Sequence, residues 1–194
     1  MITTDTIKSL RDQTGVSVME CKRALEEAGG DMEKAFMVLR KKSASVAAKK
    51  ADRTLRAGTV AAYIHANKTV GSLVELSCET DFVAKNEDFQ KLAYDIAMHV
   101  AAANPEFIRE DEITEDVRKK TEDLFAKEVA SSGKPEDIRK KMMEGKLAAY
   151  FGERVLLKQP FIKNPDVTVG VLIDEAMQKF GEKTVITHIS RFAV

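Results

Sequence analysis

Cys78, Glu79 and Asp81 crowd together in the stretch CETDFVAKN, and with His65 they are the side chains whose types could do chemistry in this chain. A thiol becomes a nucleophile when an imidazole takes its proton, and carboxylates at alternate positions can share acid–base work or a metal. A Cys78–His65 couple across neighbouring strands is conceivable, but a cysteine in a β-rich run is normally packing and nothing positions the histidine as a base. His65, His99 and His188 do not fall at ligand spacing, Cys21 and Cys78 form no CxxC pair, and GxxxxGK[ST], GxGxxG and HExxH are absent. Both cysteines read as buried thiols. Glu79 and Asp81 leave a strand, so they are expected to cap the next helix or face solvent. The sequence therefore predicts no enzyme, no cofactor and no metal site, and recognition becomes the better reading. Phe82 carries it: a large aromatic at a strand-to-helix junction either staples the helix to the core or stands out as a wedge for another protein.

Charge narrows the choice of partner. Lys and Arg number 31 and Asp and Glu 31, so no global field draws the chain to nucleic acid or anionic lipid. Arg40, Lys41, Lys42, Lys49, Lys50, Arg53 and Arg56 face only Asp52 in their segment. Interleaved Ala and Ser, with no aromatics for bases to stack on, make it a solvated helix tail and linker, and no direct nucleic-acid contact is expected. An RNA-associated protein using this segment is the alternative, and it predicts steep salt dependence. No apolar run reaches the roughly 18 residues of a membrane span. MITTDTIKSLRDQ lacks the apolar core of a signal peptide, so no membrane association and a cytoplasmic location are expected.

The elements that must position Phe82 follow from periodicity. Three short helices are predicted in the first forty residues: one capped by Thr4 or Asp5, one opened by a Ser17/Glu20 capping box with Cys21, Ala24, Leu25 and Ala28 inward, and one capped by Asp31 after Gly29-Gly30. Thr59–His65 and Val70–Cys78 read as a hairpin, with Val74, Leu76 and Cys78 on one face. Phe89, Leu92, Ala93, Ile96, Ala97 and Val100 make a helical stripe ended by Asn104-Pro105. Two polar helices follow, from about Thr114 to Ala130 and from Pro135 through Met142-Met143; QPFIKNP reads as a loop, and Thr168 caps a short helix. Thr184–Val194 is a final strand, with Ile186, His188, Ser190 and Phe192 expected on one face. The fold class is α+β: a three-helix module (1–42), a basic linker (43–57) and a core (58–194) with a small antiparallel or mixed sheet.

LRDQTGVSVMECKRAL (10–25) and ELSCETDFVAKN (75–86) resemble the two signatures of the bacterial elongation factor Ts family, the guanine-nucleotide exchange factors of elongation factor Tu. GKLAAYFGERVLLKQPFIKNPDVTVG (145–170) and the end at Arg191-Phe192 extend the resemblance over nearly the whole chain. It implies an N-terminal module of the ubiquitin-associated type. It also implies a partner, elongation factor Tu in its GDP-bound and nucleotide-free forms. Thr80, Asp81, Phe82 and Val83 would push into that partner's nucleotide domain, with Phe82 as wedge and Asp81 as its polar companion, displacing Mg²⁺ and releasing GDP. Arg11, Val18 and Met19 would add a second contact, although Met19 also fits a helix core. Ser17 and Val18 depart from the glycine and methionine of many members. Longer members carry a second core subdomain with an inserted helical hairpin before the GKLAAYFGE-like region, a segment expected to be missing here. Short members replace it by pairing two chains, which implies a homodimer. A peptide-binding adaptor using the three-helix module is a further alternative; His188, Arg191 and Phe192 fit a partner surface, a sheet edge or a dimer contact.

Overall fold

The computed structural model describes residues 2–194. Helix α1 (Thr4–Thr14) begins at Thr3, whose hydroxyl caps the Thr6 N–H, and ends at Gly15 with φ +68°. Ser17 caps α2 (Val18–Glu27) through the Glu20 N–H. Only half of the expected capping box forms, because the Glu20 carboxylate turns away to Lys42 at 2.7 Å and to Gln178 at 3.3 Å. After Gly29 and Gly30, both at positive φ, Asp31 caps α3 (Met32–Lys50). Leu10, Cys21, Leu25, Ala35 and Leu39 close a small core between the three helices.

Residues 43–50, read as linker, are the last turns of α3. This extension docks on α8 (Val169–Phe180), which Thr168 caps as expected. The buried Ser43 hydroxyl meets Gln178, and Arg40 pairs with Glu175 at 3.3 Å. Arg40, and further along Lys50 and Arg53, thus tie this stretch to the core, whereas Lys42 pairs with Glu20 inside the module.

Strands β1 (Ala57–Ile64) and β2 (Val70–Cys78) pair antiparallel from Ala57↔Cys78 to Ile64↔Gly71. Cys78 therefore lies at one end of the hairpin and His65, whose N–H bonds the Val70 carbonyl, at the other. No Cys78–His65 couple exists. After α4 (Asp81–Ala84) comes α5 (Glu87–Ala103), whose stripe of Phe89, Ala93, Ile96, Ala97 and Val100 packs beneath the inner face formed by Val74, Leu76 and Cys78. Burial of this size, at about 25 cal/mol per Å² of apolar surface, is the main cohesion of the core.

The chain leaves α5 at Asn104, in the left-handed region, and forms α6 (Glu115–Ala130) and α7 (Glu136–Gly152). These pack as a hairpin around Leu147, Phe151 and Val155 with Val117, Phe125 and Tyr150. α6 and α7 are the two polar helices expected here, and the GKLAAYFGE region forms the last turns of α7. QPFIKNP is not a plain loop. Strands β3 (Pro160–Phe161) and β4 (Asn164–Thr168) make a small antiparallel ribbon, held to α5 where the Ile162 N–H donates to Nδ1 of buried His99 at 3.2 Å.

Strand β5 (Val185–Ala193) completes a sheet of order β1-β2-β5, antiparallel throughout. Leu76 opposes Ile186, but Glu75 opposes His188, so Thr187 is an extra residue that inverts the alternation. Ile186 is buried on the α5 side while His188, Ser190 and Phe192 point outward, against the expectation that all four share a face. Among the described residues, the α+β fold has eight α-helices, and no helix is long and apolar enough to cross a membrane.

Candidate functional site

The turn that carries Phe82 is built by what happens on either side of it. Cys78 ends β2 with its thiol buried, donating to the Thr80 carbonyl at 3.2 Å; burial pushes that thiol's pKa up, so it is a packing group. Thr80 remains extended, and its hydroxyl accepts the Val83 N–H at 3.5 Å to start α4. Successive residues of a helix step by about 100°, so a single turn that buries Val83 and Ala84 sends Asp81 and Phe82 out. Phe82 is 82% exposed and does not staple the helix to the core. Asp81 pairs with Lys85 at 2.7 Å, and that ammonium holds its carboxyl below the usual range.

Two residues from the far end of the sequence fasten this turn. One Glu182 carboxylate oxygen accepts the N–H groups of Glu79 and Thr80, at 3.1 and 3.0 Å, and the other accepts the Thr80 hydroxyl at 2.6 Å. The Glu79 carboxylate in return accepts the Lys183 N–H at 2.6 Å and Arg53 at 3.2 Å, and these donors, the Lys183 amide foremost, lower its pKa. Glu79 thus neither caps α4 nor faces solvent freely. Lys183 extends the clasp to the residues just after α3, donating to the Ala51 and Arg53 carbonyls, while Lys50, the last residue of α3, donates to the Gly181 carbonyl. Neither Glu182 nor Lys183 stood out in the sequence, and Arg53 did so only as one cation of the basic segment. The one available signal was that Glu182-Lys183 follows a helix-ending glycine, which is too common to single out a contact.

The second candidate patch lies on the N-terminal module. Arg11, Val18 and Met19 are all exposed, and Met19, at 58%, is no helix-core residue. In the turn before Val18, Gly15 sits in the left-handed region at φ +68° with the Lys179 stem lying against it, 2.7 Å from where a Cβ would stand. The Lys179 ammonium meets Asp88 at 2.8 Å, so α8 joins this turn to the start of the helix that follows Phe82. On the outer sheet face, His188 pairs with Glu75 at 2.8 Å and Phe192 is 71% exposed. Arg191 departs from them: its Nε donates to the Ala101 carbonyl under the sheet.

These features define an α+β protein that offers a braced, solvent-facing aromatic. The family model described as "Elongation factor TS" matches residues 39–194. The elongation factor Ts of Carboxydothermus hydrogenoformans is 49% identical over 192 residues, covering 99% of this chain and 88% of that protein. That of Thermosipho melanesiensis is 45% identical over 194 residues, covering all of this chain and 99% of the relative. The chain belongs to the elongation factor Ts family, and on that ground it is a translation elongation factor.

Proposed function

We propose that this chain binds GDP-loaded elongation factor Tu in the cytoplasm and speeds GDP release through the Thr80–Val83 turn. The observation that carries this reading is the exposure of Phe82 on a turn whose neighbours Val83 and Ala84 are buried. Burying a phenylalanine in a partner repays about 2 kcal/mol or more, which a wedge can spend on displacing the elements that order the partner's Mg²⁺. That ion demands near-ideal octahedral oxygen geometry, so a small shift of its surroundings weakens GDP with it. No covalent bond changes, and the exchange is not catalysis by reacting groups. Coupling is reciprocal: what lowers GDP affinity is itself held less tightly when nucleotide is bound, so incoming GTP frees the factor.

Arg11, Val18 and Met19 form the second contact, on a module of the ubiquitin-associated type (1–42) joined by 43–57 to a core (58–194). Val60, Ile64, Leu73 and Phe192, exposed on the outer sheet face, support self-association into a homodimer. The RNA reading loses support, since Arg40, Lys42, Lys50 and Arg53 are engaged by Glu175, Glu20, Gly181 and Glu79. Release of fluorescent mant-GDP from elongation factor Tu tests the proposal. The chain should accelerate it and millimolar Mg²⁺ should oppose the effect; an unchanged release rate sinks the reading.

A further inference from the structure

Glu182 carries no role in the exchange reading above, yet it is the residue most tightly engaged with the turn that reading depends on. It sits after Gly181, the left-handed glycine that ends α8, and before the buried Thr184 that opens the way to β5. Three hydrogen bonds of 2.6 to 3.1 Å run from residues 79 and 80 to its two oxygens. They take up the backbone N–H groups of the two residues between β2 and α4, which the sheet leaves unpaired and which an outward-facing turn would otherwise give to water. A carboxylate accepting several such donors makes short, strong contacts. The reciprocal bond from the Lys183 N–H to Glu79 closes the link from both sides.

We propose that Glu182 is a positioning residue for nucleotide exchange: its carboxylate fixes the exit of β2 so that Phe82 is presented in one orientation before any partner arrives. The proposal rests on the exchange reading. A four-residue helix cannot hold its own direction, because isolated helices of this length are unstable in water. Its aim must come from both flanks, and on the β2 side Glu182 supplies it. A wedge fixed beforehand loses less conformational freedom on insertion than a mobile one, and that saving appears in affinity and exchange rate. Because Glu182 touches Glu79 and Thr80 rather than Phe82, it acts through the backbone and should have no effect of its own once the ring is gone.

Two measurements on the full chain test this. Amide hydrogen exchange read by NMR should show the Glu79 and Thr80 N–H groups opening on the order of tenfold faster in Glu182→Ala, with α5 amides unchanged. In mant-GDP release, Glu182→Ala should weaken stimulation on the order of tenfold, while Glu182→Gln, which keeps an oxygen for both N–H groups, stays within about threefold of the unaltered chain. The double variant Glu182→Ala/Phe82→Ala should be no weaker than Phe82→Ala alone. Unchanged Thr80 protection in Glu182→Ala overturns the clasp, and additive losses in the double variant overturn its action through Phe82. A chain with intact protection that fails to stimulate release overturns the exchange reading, and Glu182 as a positioning residue with it.

Discussion

Phe82 and Phe89 are the same residue type seven positions apart, yet one is 82% exposed and the other fully buried. In an unbroken helix seven residues fall only about 20° short of two turns, so both rings would share one face and both would enter the core. The chain avoids this at Lys85-Asn86. Lys85 closes α4, and Asn86 leaves the helical region at φ −67°, ψ 131°, its side chain accepting the Asp88 N–H at 2.9 Å to start α5 afresh. The break resets the helical phase, which turns one phenylalanine into a core residue edge-on to Phe180 and the other into a surface feature. Exposure of Phe82 is thus as much a property of the residues between the two rings as of Phe82 itself.

Truncating each ring separates the two roles most sharply. Phe89→Ala should cost about 3–5 kcal/mol in chemical denaturation, as large core aromatics do. Phe82→Ala should leave stability within about 0.5 kcal/mol. Its loss should appear instead in stimulated GDP release, by tens-fold or roughly 2 kcal/mol, the scale of an interface anchor. A Phe82→Ala chain that unfolds would show that the ring packs after all. Asn86→Ala attacks the boundary itself: losing the cap should cost about 1 kcal/mol in stability and blunt exchange, because α4 and α5 can then begin to merge. If that variant unfolds less readily than the unaltered chain, the break is not held by its cap.

The gentlest effect is a pH slope from α5. His99 accepts the Ile162 N–H at Nδ1 and donates from Nε2 to Gln159 at 2.9 Å, and burial lowers its pKa from the ordinary 6.5. A folded-state pKa below the unfolded one means the unfolded chain binds the proton first. Stability should therefore be full above about pH 6.5 and decline as pH falls below it. Thermal unfolding followed across that range should show the decline, and His99→Gln should flatten it.

Most of the helical fold was legible because its signals are local. Caps at Ser17, Asp31, Asn104 and Thr168, the α5 stripe and the β1–β2 alternation all act within a few residues of where they are read. What escaped depends on distance. Glu182 meets Thr80 across 102 positions, and no nearby residue announces the pairing. The bulge at Thr187 is set by the partner strand, so a strict period of two carried the outward face of β5 one step too far back, to Ile186. Pro160 and Pro165 read as loop, yet proline is tolerated at the ends and edges of strands, and the β3–β4 ribbon uses it there. The resemblance directed attention to the Thr80–Val83 turn, while its bracing came from the three-dimensional arrangement alone.

The two cysteines lend the molecule an experimental convenience. Cys21 and Cys78 are both fully buried, and burial raises the pKa of each thiol. Maleimide reagents attack thiolates they can reach, so both native sulfurs should stay nearly inert while the chain is folded. A single cysteine placed at an exposed site such as Glu87, beside the α4–α5 break, would accept a fluorophore without the native thiols being removed. The protein is in effect already prepared for single-site labelling, and a dye there would give a continuous optical record with which to test whether the Phe82 turn enters and leaves the proposed partner.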